Sequence, residues 1–145
     1  MSLTGVGHAL HAAARAHRAR LTALLAPHGI HPGQDLLLLA IWAEPGLRQA
    51  ALATRLGVEP ATVTRMAQRL EKSGLIERRA DRHDGRVLRV HPTPRSRLIE
   101  PAVRRAWDQL DEMMVGALGS DADRLKRLAR TAMAALAAEA TSNAV

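Results

Sequence analysis

The chain has 145 residues, 47% of them hydrophobic, and a net charge of +7. It contains no Cys, which excludes disulfides, thiolate metal sites, cysteine nucleophiles and thiol redox sensing. It also lacks Phe and Tyr, so Leu, Ala, Val and Met must build the core around Trp42 and Trp107, a composition that favours a mostly helical protein and argues against disorder.

In chain order, residues 3–26 read as a long helix. Leu3, Val6, Leu10, Ala14, His17, Leu21 and Leu24 recur at three- and four-residue steps. The first twenty residues lack a basic region followed by a long apolar run, so no signal peptide is expected. The longest apolar run, near Leu36–Ala43, is too short to span a bilayer, so a cytoplasmic protein without a membrane partner is expected. Two Pro and two Gly between Ala26 and Gly33 break the first helix. A second, nearly continuously apolar helix covers about Gln34–Ala43, and Glu44-Pro45-Gly46 ends it. Leu47 and Arg48 read as extended, in a minimal strand.

Gln49–Glu71 then reads as two short helices around the turn Leu56-Gly57-Val58. Ala53 is small enough for close helix crossing, and Val63 fits the angle between the helices. Pro60 suits a first helical turn. Val63, Met66, Ala67 and Leu70 form the inner stripe, opposite Thr62, Thr64, Arg65, Gln68 and Arg69. This is the spacing of a helix-turn-helix whose second helix can enter a DNA major groove. Gly74 suits the cap that ends it. Residues 75–80 and 87–91 have strand character, and the polar loop Asp81–Arg86 joins them as a hairpin with a basic tip.

Thr93-Pro94 reads as N-cap and first turn of a helix reaching about Leu118, with Leu98, Val103, Trp107, Leu110, Met114 and Leu118 inward. Gly119-Ser120-Asp121 breaks it. A last helix spans about Asp121–Ala140, with Leu125, Leu128, Ala132, Met133 and Leu136 as its stripe. The terminal helices carry more apolar surface than the small module covers. Packing against a second copy predicts a two-fold helical dimer; a monomer with a three-helix terminal layer is the alternative.

The charge is local. Residues 60–97 hold ten Lys/Arg against four Asp/Glu, whereas 98–145 hold six against seven. A basic patch beside a groove-sized helix predicts a polyanion partner.

Over nearly its whole length the chain resembles the MarR family of bacterial transcriptional regulators. The resemblance is carried by LATRLGVEPATVTRMAQRLEKSGLIERRADRHDGRVLRVHPTP, Leu52 to Pro94, above all GLIERR and the wing pattern Asp84-x-Arg86 followed by Val90-x-Pro92-Thr93-Pro94. Gly85, Pro92 and His31 depart from the family pattern, which often has a basic residue, Leu and Thr there. The resemblance implies a mainly α chain with a small β-hairpin: a winged helix-turn-helix module over 34–93, with dimerisation helices in 1–33 and 94–145. It implies a homodimeric regulator, read as a repressor, on a pseudo-palindromic operator of double-stranded DNA. It also implies a pocket for a small effector where the dimerisation helices meet the DNA-binding module.

For DNA contact, the recognition helix over 60–73 offers Pro60, Ala61, Thr62, Thr64, Arg65 and Arg69. Arg65 suits a bidentate contact to guanine, and Arg69 a phosphate. In the wing, 77–91, Arg86 suits a narrow minor groove, with Arg82 and His83 near phosphate. Asp84 repels phosphate, so it either holds Arg86 or a backbone N–H, or simply forms the turn. Arg15, His17, Arg18, His28, His31 and Trp42 are candidates to meet an anionic aromatic effector. His8, His11, His28 and His31 leave open a zinc-responsive regulator of the same fold, although no third ligand stands at a recognisable spacing. A winged module used only for protein contacts also stays open. No catalytic motif is present, so neither an enzyme nor a cofactor is expected.

Overall fold

The computed structural model describes residues 4–142. The chain divides into two compact units, Met1–Trp107 and Asp108–Val145, with the boundary inside a helix. The elements run α1 (Val6–Leu25), a 3-10 turn (Ala26–His28), α2 (Gln34–Ala43), β1 (Leu47–Arg48), α3 (Gln49–Leu56), α4 (Pro60–Lys72), β2 (Ile76–Ala80), β3 (Leu88–Pro92), α5 (Pro94–Leu118), a second 3-10 turn (Gly119–Asp121) and α6 (Ala122–Ser142). This is a mainly helical winged helix-turn-helix. Among the described residues no helix is long and apolar enough to cross a membrane.

In the first unit, two glycine caps set the helix-turn-helix. Gly57 and Gly74 take left-handed backbone angles, φ 63° and 75°, that side-chain-bearing residues rarely adopt. After each, the chain turns back onto its helix. Val58 N–H bonds the Ala53 carbonyl at 3.2 Å, and Leu75 N–H bonds the Leu70 carbonyl at 2.9 Å. α4 thus starts at a proline and stops at a glycine, and it buries Val63, Ala67 and Leu70 on one stripe. The sheet has three antiparallel strands in the order β1-β3-β2. Leu47 pairs with Val90, and Arg78 with Val90 from the other side, so β3 is central and the minimal strand is a real sheet member.

Leu25, Leu37, Leu38, Ile41, Leu52 and Ile76 join the α4 stripe in the core. One buried polar chain runs through it. The Trp42 indole N–H donates to Ser96 Oγ at 3.1 Å, and Ser96 Oγ donates to the Thr93 carbonyl at 3.0 Å. Thr93 Oγ1 accepts the Ser96 N–H, which makes Thr93 the N-cap of α5, and donates to the Gly74 carbonyl at 2.7 Å. The start of α5 is therefore bolted to the turn that ends α4.

On α5 the structure corrects the inward stripe expected from periodicity, and on α1 and α6 it leaves much of the expected stripes uncovered. In α1 only Leu21 and Leu25 are buried; Val6 is 86% exposed, and Leu3 lies outside the described residues. Val103 of α5 is buried, but Leu98 is 82% exposed. In the second unit, Leu125, Leu128, Met133 and Leu136 of α6 are all exposed. A helical period shows which side chains share a face, not what covers that face. A single chain leaves these faces uncovered.

Ser96→Ala leaves the buried Trp42 N–H without its acceptor. The expected cost is about 1–3 kcal/mol of stability, read as a lower urea midpoint; an unchanged midpoint would show that the bond contributes nothing net.

Candidate nucleic-acid interface

α4 presents Pro60, Ala61, Arg65, Gln68, Arg69 and Lys72 to solvent, with Thr62 and Thr64 half-buried at its start. Thr62 Oγ1 accepts from Arg65 Nη2 at 3.4 Å. Thr64 is differently placed: its hydroxyl accepts from Gln49 Nε2 and donates to the Pro60 carbonyl, each at 3.0 Å. Among the described residues, no carboxylate lies in ion-pairing distance of Arg65, Arg69, Lys72 or Arg82.

The cations at the base of the wing are engaged instead. Arg78 donates to Glu71 Oε2 through Nε at 2.9 Å and Nη2 at 2.6 Å, which fastens β2 to α4. That guanidinium holds the Glu71 carboxyl below its ordinary pKa, against the upward push of burial. Asp81, buried at the end of β2, accepts the His83 N–H at 2.8 Å and the Asp84 N–H at 3.2 Å, and pairs with Arg89. The backbone bond from His83, then the Arg89 guanidinium, hold the Asp81 carboxyl far below the usual carboxylate range. Arg89 also donates to the Gly46 carbonyl at 2.8 Å, which ties the wing root to the turn before β1.

This anchor is not apparent from the chain order. Its signal lies in the register, which pairs Ala80 with Leu88 and brings Asp81 beside Arg89. At the tip, Asp84 Oδ1 accepts the Arg86 N–H at 3.0 Å and lies 3.5 Å from Arg86 Nε, while 94% of the Arg86 side chain remains exposed. Asp84 thus holds the base of Arg86, and the guanidinium reaches into solvent.

Between α1, the start of α2 and Trp107 lies a cleft of about 400 Å³. Arg15, His17, Arg18, Leu21, Asp35 and Trp107 are among its walls. The His17 ring lies 5.6 Å from that of Trp107, whose indole N–H donates to the buried Asp35 Oδ2 at 3.0 Å. Three of the six residues anticipated for an effector pocket, Arg15, His17 and Arg18, come together here, and the other three do not. Trp42 is buried, its N–H committed to Ser96. His28 sits exposed on the 3-10 turn. His31 is exposed, and its backbone N–H donates to Gln34 Oε1 at 3.0 Å, so the first turn of α2 caps backward onto the loop. Spacing could not show this, because the 3-10 turn and the left-handed Gly33 set the loop so that Pro32 and Gly33, and not His28 or His31, wall the cleft. His11 and Trp107 line the cleft in their place. Among the described residues, no three His, Asp or Glu side chains converge on a metal-sized site.

Because the Asp81 pKa is depressed in the fold, its contribution to stability is complete above the ordinary Asp value, about 3.9, and is lost as pH falls below it. The urea midpoints of the wild type and Asp81→Asn should therefore differ equally at pH 7 and 5.5, and less at pH 3. A gap that is constant at all three would show that the charge carries none of the anchoring.

Residues 30–88 match the MarR family. The chain is 32% identical over 120 residues to the HTH-type transcriptional regulator TtmR of Methylorubrum extorquens, an alignment covering 83% of this chain and 60% of TtmR. The chain thus spans about three-fifths of that relative's length. Among solved structures, PcaV of Streptomyces coelicolor, in complex with its natural ligand, superposes with a TM-score of 0.78 at 25% identity, covering 93% of this chain and 97% of that one. The repressor CouR, bound to a 23-mer DNA duplex, superposes with a TM-score of 0.75 at 26% identity, covering 93% and 98%. A match over the helix-turn-helix and most of the wing, and structural likeness beyond both, place the chain in the MarR family of transcriptional regulators.

Proposed function

We propose that the protein is a homodimeric, sequence-specific repressor that acts on DNA in the cytoplasm. On this reading, α4 enters the major groove of each half of a pseudo-palindromic operator. Arg65 meets a guanine edge, Thr62 and the backbone around Pro60 and Ala61 approach the bases, and Arg69 neutralises phosphate. The wing follows the backbone with Arg82 and places Arg86 in the adjacent minor groove. The observation that carries the reading is the sorting of charge. Carboxylates hold the cations at the wing root, whereas among the described residues Arg65, Arg69, Lys72 and Arg82 keep none, and Arg86 extends from its tether.

The module over 34–93 is the reader, and the helices in 1–33 and 94–145 join two copies. The uncovered apolar side chains of α1 and α6 support this, since a second copy would take them out of water. The cleft supports a small anionic aromatic effector: Arg15 and Arg18 supply charge, Trp107 and Leu21 apolar wall, and about 400 Å³ suits one small molecule. PcaV, a relative, is known in complex with its natural ligand. A zinc-responsive regulator finds no converging ligand set among the described residues to support it. A protein-binding module gives no reason for the unpaired cations.

Selection of bound duplexes from a random pool, at fixed salt, tests the reading, and screening small aromatic acids for release of the selected DNA tests the effector. The wild type should enrich an inverted repeat. Arg65→Ala should cost about 1–3 kcal/mol on that operator and relax one base pair, while Arg86→Ala should lower affinity and flatten any preference for A·T flanks. Absence of an inverted repeat would overturn the reading, and equal losses on operator and random DNA would reduce Arg65 to a phosphate contact.

Leu136→Asp separates dimer from monomer, because a side chain 65% exposed in one chain has little to lose unless a partner covers it. Two lost apolar contacts per dimer, about 1.5 kcal/mol each, should raise the dimer dissociation constant about 100-fold in sedimentation equilibrium, with unchanged helicity. An unaltered mass would place Leu136 outside the interface.

A further inference from the structure

Gln49 is the first residue of α3, and its amide reaches across the helix-turn-helix to Thr64 on α4. A threonine hydroxyl has one proton and two lone pairs. Here the proton goes to the Pro60 carbonyl at 3.0 Å, and one lone pair accepts from Gln49 Nε2 at 3.0 Å. A single lone pair remains. The Gln49 amide is fixed in turn: its Oε1 is buried with no hydrogen-bond partner, so this side chain carries an uncompensated polar atom in order to present its N–H to Thr64. Turning the amide over would set its oxygen against a hydroxyl whose proton is already committed, and would bury an unpaired NH₂ instead. Thr64 itself is half-exposed at the start of α4, the part of a recognition helix that meets base edges.

We propose that Gln49 is a specificity-determining positioning residue, which makes Thr64 a reader that can only accept a hydrogen bond. The inference rests on α4 being the major-groove helix. In that groove, guanine shows N7 and O6 and thymine O4, all acceptors, whereas adenine N6 and cytosine N4 are donors. A Thr64 whose proton is held by Pro60 has nothing to give to guanine, thymine or a phosphate oxygen. It takes an N–H from adenine or cytosine on the strand it faces. Thr62 differs, because its hydroxyl only accepts, from Arg65, and keeps its proton for a base edge or phosphate.

Selection from a random pool with the wild type, Gln49→Ala, Gln49→Leu and Thr64→Val tests this. The position whose preference collapses in Thr64→Val is the one Thr64 reads. In the wild type that position should favour adenine or cytosine about fivefold, the worth of one net hydrogen bond. In Gln49→Ala the preference should fall below about twofold, since without the Gln49 N–H to hold its oxygen the Thr64 hydroxyl can turn its proton away from the Pro60 carbonyl and donate as well as accept. Other operator positions and affinity for random DNA should hold. Gln49→Leu keeps the side-chain bulk at the helix crossing and should behave the same way, so a folding defect in one variant does not decide the result. A position that does not separate adenine and cytosine from guanine and thymine on either strand, the same preference in both Gln49 variants, no position that answers to Thr64→Val, or a uniform loss on all DNA would overturn the proposal. A wild type that enriches no inverted repeat overturns the DNA-reading function and this inference with it. A clear inverted repeat indifferent to Gln49 overturns this inference alone.

Discussion

The position of α4 depends on one buried chain of hydrogen bonds, from the Trp42 indole through Ser96 and Thr93 to the Gly74 carbonyl. Helix C-termini leave carbonyls without intrahelical partners, and left-handed caps satisfy only some of them. The Thr93 hydroxyl takes the Gly74 carbonyl, and Arg95 donates to the Ser73 carbonyl at 2.9 Å. The end of α4 is thus held by the start of α5, and α5 by an indole rising from α2. With no Phe or Tyr, the two Trp are the only large aromatics, and both indole N–H groups join α2 to α5. Each bond is worth about 1 kcal/mol net, and several times less than the penalty of burying all these groups unpaired. Their importance lies in fixing one arrangement.

Charge works by a similar division. The sequence shows a basic stretch, yet only part of it is available to a ligand. Glu71 and Asp81 hold Arg78 and Arg89, and these pairs, partly shielded, weld the wing to α4 and to the turn before β1. Exposed pairs such as Arg79 with Glu77 contribute little to stability. Among the described residues, Arg65, Arg69 and Lys72 on α4 and Arg82 in the wing keep no counter-ion, the condition under which a cation could replace the counterions condensed on a phosphate backbone.

Legibility in the sequence followed the range of the interactions. The helix-turn-helix was legible because its parts lie within about twenty residues: Ala53, Gly57, Val63 and Leu70 sit at fixed local offsets and all serve the same crossing. The Thr93 cap was legible for the same reason. Leu98 was misread, because an apolar residue in helical register is equally suited to a core and to a surface awaiting a partner. Trp42 was misread as pocket lining because its acceptor, Ser96, lies 54 residues away and no local pattern announces it. The Asp81–Arg89 anchor needed the strand register, and the Gln49–Thr64 link needed the crossing of α3 over α4. Of the cleft, only the residues on α1 were legible, since one helical face carries Arg15 and Arg18, while Asp35 and Trp107 are brought there by the fold.

That same geometry bears on how an effector would act. Between Thr93, which holds the turn after α4, and Trp107, which walls the cleft, α5 advances 14 residues, about 20 Å of helix. Trp107 is tethered to Asp35 and Ser96 to Trp42, so α2 and α5 are joined at both ends of this segment. A ligand that competes for the Asp35 carboxylate or displaces the Trp107 ring would loosen one tether and leave the other. α5 would then pivot about the Ser96 bond, and the Thr93 hydroxyl would carry that motion to the end of α4. A binding event can shift a conformational equilibrium only by its difference in affinity for the two states. A carboxylate anion entering beside Arg15 and Arg18 would meet such a difference if it took the Trp107 N–H from Asp35 in one state and not in the other. Coupling by this route needs the tether at Ser96 intact, so the bond that holds the end of α4 is also the fulcrum through which the cleft would move it.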